Sequence, residues 1–157
     1  MQFFEAEIKE YSEFAWSTFD LKTSPSSQAN HENLEDSVTA NVQISGNWQG
    51  VVTLKIEMDL AHQLAEKMFS LEKGKATPDE INDAVAEMIN MIGGNLKSLL
   101  PQPCQLSLPI IDLKGALFEF PFTEQLSEVV FECQGKKFMV SIHQVKEHKL
   151  PNQPTAT

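Results

Sequence analysis

Apolar residues recur at helical spacing in three stretches of the chain, and the longest runs from about residue 77 to residue 100. Its apolar positions fall on one arc of roughly 100°: Ile81, Val85, Met88, Ile89, Ile92, Leu96 and Leu99. The sequence Thr-Pro-Asp-Glu at 77–80 is typical of a capping box, with Thr77 as the N-cap. Prolines at 101 and 103 follow the last apolar position. The pattern therefore predicts a well-delimited amphipathic helix.

Two shorter helices are predicted earlier in the chain. Residues 3–19 carry these apolar residues at helical spacing: Phe3, Phe4, Ile8, Tyr11, Phe14, Ala15 and Phe19. Because the polar face of this helix is acidic, we expect it to face the core and not a membrane. A further helix is predicted from Asp59 to Phe69, with Asp59 as its N-cap.

The remaining patterns predict β-strands. Val38, Ala40, Val42 and Ile44 alternate with polar residues, and a turn at 45–50 connects them to a partner strand at 51–56. Four later runs are short and rich in β-forming residues: Cys104–Leu108, Lys114–Phe120, Glu128–Cys133 and Lys137–Val145. Gln134-Gly135 predicts a hairpin turn between the last two.

Helices and strands are mixed in blocks and do not alternate strictly, which indicates an α+β fold: an antiparallel β-sheet flanked by helices. Residues 1–146 are expected to form a single domain. Residues 23–36 are rich in Ser, Asn and Gln and are predicted to be a loop. Residues 147–157 are polar and contain proline, and a frayed tail is expected there.

Composition narrows the classes of function. The chain has 157 residues and a formal net charge of −10. All 12 basic residues are lysines. The acidic balance argues against binding to nucleic acid. Without arginine, the chain also cannot make the bidentate contact between a guanidinium group and a phosphate that phosphate-binding sites favour.

The chain also lacks the signals of export or membrane insertion. Its first residues turn acidic at once, unlike a signal peptide, and no apolar run approaches the ~20 residues of a membrane span. Cys104 and Cys133 are expected to be free thiols of a cytoplasmic protein. The four histidines show no metal-ligand spacing with the cysteines, so no metal site is predicted.

The polar face of the long helix is the most informative feature. Glu87 and Asn90 lie one turn apart, so both side chains can point at one external object. Gly94 lies one turn further along the polar arc, although a glycine inside a helix costs about 1 kcal/mol relative to alanine. A bare helix surface lets a partner's backbone approach closely. Gly93 projects nearer the apolar edge, where close packing against another helix would explain it.

The chemistry of this face is limited by its residue types. We find no Ser-His or Cys-His arrangement and no glycine-rich phosphate loop in the sequence. An amide such as Asn90 can hold a water in line with a phosphorus atom, and a carboxylate such as Glu87 can pair with a lysine. Neither residue suffices alone, so metal and phosphate would have to lie on a partner protein. The alternative is a solvated helix face without any function.

The run Glu87-x-x-Asn90-Met91-x-x-Gly94-Asn95-x-Lys97, preceded by Asp83, resembles the signature helix of the CheC/CheX family of bacterial chemotaxis phosphatases. The predicted hairpin around Gly46–Val52 and the Gln134-Gly135 turn are also similar to that family. The resemblance extends over roughly residues 3–145.

The resemblance implies a phosphatase that acts on the aspartyl phosphate of a CheY-like receiver domain. Asn90 would orient the attacking water, and Glu87 would bind the receiver's active-site lysine. Asp83, Met91, Gly94 and Lys97 would contact the partner. The protein would need no cofactor of its own, because Mg²⁺ would belong to the receiver.

The first helix has Glu-x-x-Glu spacings but no Glu-x-x-Asn motif. This pattern resembles the single-motif CheX branch, and the resemblance implies a homodimer. Two alternatives stay open: an inactive CheC-like module that binds a receiver or flagellar-switch protein, and an unrelated α+β domain in which Glu87 and Asn90 are ordinary surface residues.

Overall fold

The computed structural model describes residues 4–26, 34, 36–115 and 119–146. The helices are α1 (Glu5–Ser17), α2 (Met58–Met68) and α3 (Pro78–Lys97). The strands are β1 (Ser24–Pro25), β2 (Ser37–Gly46), β3 (Gly50–Glu57), β4 (Cys104–Leu106), β5 (Ile110–Asp112), β6 (Thr123–Cys133) and β7 (Lys136–Val145). None of the helices in these ranges has the length and apolar character needed to cross a membrane.

All seven strands form one antiparallel sheet in the order β1-β6-β7-β3-β2-β4, and β5 also pairs with β2. β4 and β5 therefore lie end to end along the free edge of β2. The two predicted hairpins, β2–β3 and β6–β7, are present, and the second turns at Gln134-Gly135. The predicted α+β fold, an antiparallel sheet flanked by helices, is confirmed.

The three helices cover one face of the sheet. Successive side chains of a strand point to opposite faces, and the even-numbered residues of β2, β3 and β7 point toward the helices. On this side, the ring of Trp16 from α1 stacks on Phe138 with the centroids 4.3 Å apart. Phe138 in turn stacks on Phe131 at 4.6 Å. We call the opposite side the outer face; it carries the odd-numbered residues of β2, β3 and β7.

Helix α3 is fixed at both ends. Thr77 accepts a hydrogen bond from the Glu80 amide at 3.2 Å, and Glu80 accepts one from the Thr77 amide at 2.9 Å, which is the predicted capping box. At the C-terminal end, the side-chain amide of Gln102 donates to the Lys97 carbonyl at 2.9 Å. Leu99 lies past the end of the helix and is 45% exposed, so its predicted place in the apolar face is wrong.

The first two helices differ from the prediction in detail. Phe14 is 65% exposed because it lies about 160° from Ser12, around which the buried face of α1 is centred. Asp59 does not cap α2, since β3 runs directly into a helix that begins at Met58, with Glu57 as N-cap. The Asp59 carboxylate instead pairs with Lys136 at 3.4 Å.

Of the predicted strand Lys114–Phe120, residues 114, 115, 119 and 120 are not in a strand, and residues 116–118 lie outside the described residues. Asp112 accepts hydrogen bonds from the amides of Lys114 and Gly115, which turns the chain, and Gly115 has a φ of 71°. The strand in this region is β5. Within the predicted loop 23–36, Ser24 and Pro25 pair with β6; residues 27–33 and 35 of this loop, and the predicted tail 147–157, lie outside the described residues.

Candidate functional site

The polar face of α3 brings the predicted site residues onto one side of the helix. At 100° per residue they span an arc of about 120°: Asp83, Glu87, Asn90, Met91, Gly94 and Lys97. We call this set the α3 site. Gly94 lies between Glu87 and Asn90 in angle and about one turn toward the C-terminus. The predicted grouping of these residues follows directly from the regular helix over Pro78–Lys97.

The side chains of the α3 site are available to a partner. Asp83 and Glu87 are exposed, and Asn90, Met91 and Lys97 are partly exposed. Within the ranges that the structure describes, the side chains of Asp83, Glu87, Asn90 and Lys97 form no hydrogen bond or ion pair. Glu87 and Asn90 are therefore not held by the protein's own elements, in contrast to polar residues that serve the fold.

The two adjacent glycines of α3 have different surroundings. A Cβ built on Gly94 would meet no heavy atom within 4 Å, so this position is open. A Cβ on Gly93 would lie 2.7 Å from a methyl group of Val42. Gly93 thus permits close packing, as predicted, but its neighbour is strand β2 and not another helix. Gly94 has no such packing role and leaves a bare patch beside Glu87 and Asn90.

The α3 site offers one amide, from Asn90, and exposed carboxylates, from Asp83 and Glu87. In the described part of the chain, no group of three or more His, Cys, Asp or Glu residues could hold a metal ion. A carboxylate can hold a cation and an amide can orient a water.

The two free thiols lie outside the α3 site. Cys104 and Cys133 are buried. Burial raises the pKa of Cys133, which favours an inert thiol.

One polar cluster was not predicted from the sequence. On the outer face, Ser141 Oγ lies 3.1 Å from His143 Nε2 and also forms a hydrogen bond with Thr53 Oγ1. A Ser-His contact was not predicted, although the i, i+2 spacing on one strand is its sequence signal. Ser141 is 2% exposed, and its hydroxyl is engaged by both Thr53 and His143.

Comparison with known families identifies a long match. A sequence model of the family described as "Chemotaxis phosphatase CheX" matches residues 38–134. The matched stretch includes all of α3 and the strands on which it packs. Among curated proteins, none matches the chain at a significant level.

Solved structures with the same fold carry the same family name. A chemotaxis protein CheX from Vibrio vulnificus has a TM-score of 0.73 at 18% identity, with 89% of this chain and 95% of that chain covered. For CheX from Desulfovibrio desulfuricans the TM-score is 0.70 at 19% identity, with 88% and 99% covered. A CheX-CheY-BeF3-Mg+2 complex from Borrelia burgdorferi gives 0.63 at 15% identity, with 90% and 97% covered. At these identities the structures support the fold.

Proposed function

The chain belongs to the CheX family of chemotaxis phosphatases, and on this premise we propose that it hydrolyses the aspartyl phosphate of a CheY-like receiver domain. The proposal rests on the exposure of Glu87 and Asn90. Both side chains point outward from the same helix, and neither has a hydrogen-bond or ion-pair partner in the described part of the chain. The related protein solved in complex with CheY supports the choice of partner.

In the proposed reaction, a water attacks the phosphorus atom while the bond between phosphorus and the aspartyl oxygen breaks. The aspartate leaves as a carboxylate, and both protons of the water stay with the inorganic phosphate. The Asn90 carboxamide holds the water in line through its carbonyl oxygen and NH₂ group. Any Mg²⁺ belongs to the receiver, so this chain supplies position and charge only.

Glu87 is proposed to anchor the receiver by pairing with its active-site lysine. The carboxylate is exposed and lies one turn from Asn90, so one lysine at the phosphorylation site can reach it while the water is held next to it. Asp83, Met91 and Lys97 border the same surface and are proposed to contact the partner. We place this activity in the cytoplasm.

The direct test is phosphate release from a phosphorylated CheY-like receiver encoded in the same genome, with and without the protein. Acceleration in proportion to protein concentration is expected. If the protein binds the receiver without accelerating release, the inactive binding module is the correct alternative. If no receiver from that genome responds in either way, the proposal is wrong.

We expect Glu87→Gln to weaken receiver binding by about tenfold, because the variant keeps the shape of the side chain but loses the charge that pairs with lysine. Titration of a labelled receiver by fluorescence anisotropy measures this change. Glu80→Gln would be unsuitable as a control because Glu80 serves the capping box. Glu72→Gln is a suitable control, since Glu72 is exposed and precedes α3. Equal binding by the Glu87 and Glu72 variants would contradict the assigned role.

We also propose that the protein is a homodimer. Along the edge formed by β4 and β5, Leu108 is 86% exposed and Ile110 is 50% exposed. An exposed apolar sheet edge is a ready surface for pairing with another chain. The variant Ile110→Lys is expected to raise the dimer dissociation constant by about tenfold in sedimentation equilibrium. A wild-type chain that stays monomeric at all measured concentrations would rule the dimer out.

A further inference from the structure

The outer face of the sheet carries a row of polar side chains that crosses four strands. Asn41 of β2 lies opposite Thr53 of β3, Thr53 lies opposite Ser141 of β7, and Ser141 lies opposite Glu128 of β6. Because directly opposed residues in antiparallel strands project on the same side, these four side chains form a continuous line. The α3 site lies across the sheet from this row.

Two residues of the row are buried and the other two, Thr53 and Glu128, are partly buried, which is unusual for polar residues on a sheet face that no helix covers. Asn41 and Ser141 are each 2% exposed. Ser141 is hydrogen-bonded to both Thr53 and His143. The side-chain oxygen of Asn41, by contrast, has no hydrogen-bond partner in the described residues. The protein therefore satisfies only part of the hydrogen-bonding capacity of the row, although buried polar groups are usually paired.

A cavity of about 250 Å³ lies over the part of this row formed by Thr53, Ser141 and Glu128, and Asn41 does not line it. Thr53, Ser141 and His143 line it on the sheet side, and Phe120 and Met139 provide apolar contact. The rings of Phe120 and His143 have centroids 5.8 Å apart and planes tilted by 45°. The cavity is far larger than the ~30 Å³ that one water occupies in the liquid. Apolar walls with a few convergent polar groups are typical of small-molecule sites.

The charges around the cavity favour an uncharged ligand. Lys55 and Glu128, which have opposite signs, both line it. Burial lowers the pKa of His143 below its usual value, which keeps the imidazole neutral near neutral pH. The remaining polar groups on the sheet side are hydroxyls and the uncharged carboxamide of Gln125. A charged ligand would lose its hydration without gaining a net opposite charge in exchange.

We propose that this cavity, which we call the outer-face cavity, binds a small uncharged heteroaromatic molecule of about the size of a nucleobase. Its ring would contact Phe120 and Met139, and its polar edge would exchange hydrogen bonds with Thr53, Ser141 and His143. The hydroxyls can donate or accept, so they suit an edge that carries both donors and acceptors. This proposal does not depend on the phosphatase function assigned to the α3 site.

The test is a titration of the full chain, labelled with ¹⁵N, with four probes up to 5 mM: adenine, uracil, benzoate and benzene. We expect adenine or uracil to shift the amide signals of Thr53, Ser141 and His143 with a dissociation constant below about 1 mM. Benzene lacks the polar edge and benzoate carries a charge, so each should bind at least about tenfold more weakly. Equal binding of benzene or benzoate, or no shift by any probe, would overturn the proposal.

Variants distinguish binding at this cavity from nonspecific binding elsewhere on the protein. Thr53→Val keeps the shape of the side chain and removes one hydroxyl, so the affinity for the bound base should fall by about tenfold. Phe120→Ala should weaken binding by a similar factor. Phe122→Ala is the matched control, because Phe122 is 60% exposed and does not line the cavity. If Phe122→Ala weakens binding as much as Phe120→Ala, or if Thr53→Val has no effect, the assigned site is wrong.

Discussion

Asn90→Ala is expected to lower the rate of phosphate release from a phosphorylated receiver by about 100-fold or more, with receiver binding nearly unchanged. The reason is that Asn90 is proposed to act on the attacking water and not on the affinity for the partner. Misplacement of a reacting group by about 1 Å can cost on the order of 100-fold in rate. Alanine leaves the water with no group to hold it in line.

The measurement is single-turnover phosphate release at saturating protein, together with the dissociation constant for the receiver. Asn82→Ala is the matched control, because Asn82 lies on the same helix about 12 Å toward its N-terminus and outside the α3 site. An Asn90→Ala protein with the wild-type rate would exclude the water-positioning mechanism. If Glu87→Gln still weakened binding in that case, the chain would be a receiver-binding module without catalysis.

The structural change from Asn90→Ala should be small. Asn90 is partly exposed and its side chain makes no hydrogen bond within the described part of the chain, so no buried partner is left unpaired. Alanine also has the higher helix propensity. An unchanged or slightly raised melting temperature therefore accompanies the loss of rate, and a lower one would point to a structural role for Asn90 that the contacts do not show.

Sequence predicts α3 and its exposed face well because every level of information agrees there. The capping box at Thr77, the apolar period and the prolines after the helix fix both its ends and its buried side. The exposed direction of Glu87, Asn90 and Gly94 then follows from geometry alone. The roles of these residues depend on a partner, which the fold does not contain, so they stay predictions.

The errors arise where long-range contacts decide the structure. The side chain of Asp112 turns the chain and ends β5, although the following residues have the composition of a strand. Trp16, and not Phe14, faces the core because the ring of Phe138 lies beneath it. The outer-face cavity depends on the register between β3 and β7, which brings Thr53 opposite Ser141. Strand register between distant segments cannot be read from local patterns.

The same substitution at the two adjacent glycines should have opposite effects. Gly94→Leu is expected to keep the fold, with a stability gain approaching 1 kcal/mol, because leucine is a much better helix former than glycine and open space lies beside this position. It should nevertheless reduce receiver-dependent phosphate release by about 100-fold or more, because the side chain occupies the bare patch that the partner must approach.

Gly93→Leu should instead destabilise the protein. Its Cβ alone would lie 2.7 Å from the Val42 methyl group, so either α3 or β2 has to move, and overpacking of this kind costs about 1–3 kcal/mol or more. Denaturant unfolding and phosphate release, measured on both variants at a temperature where each is folded, give a two-by-two comparison. We expect the Gly94→Leu protein to be stable but inactive in phosphate release, and the Gly93→Leu protein to be less stable. This combination would indicate that the receiver binds the polar side of α3. An active Gly94→Leu would show that the receiver does not approach the helix there, because the substitution puts the bulkiest change in the middle of the α3 site.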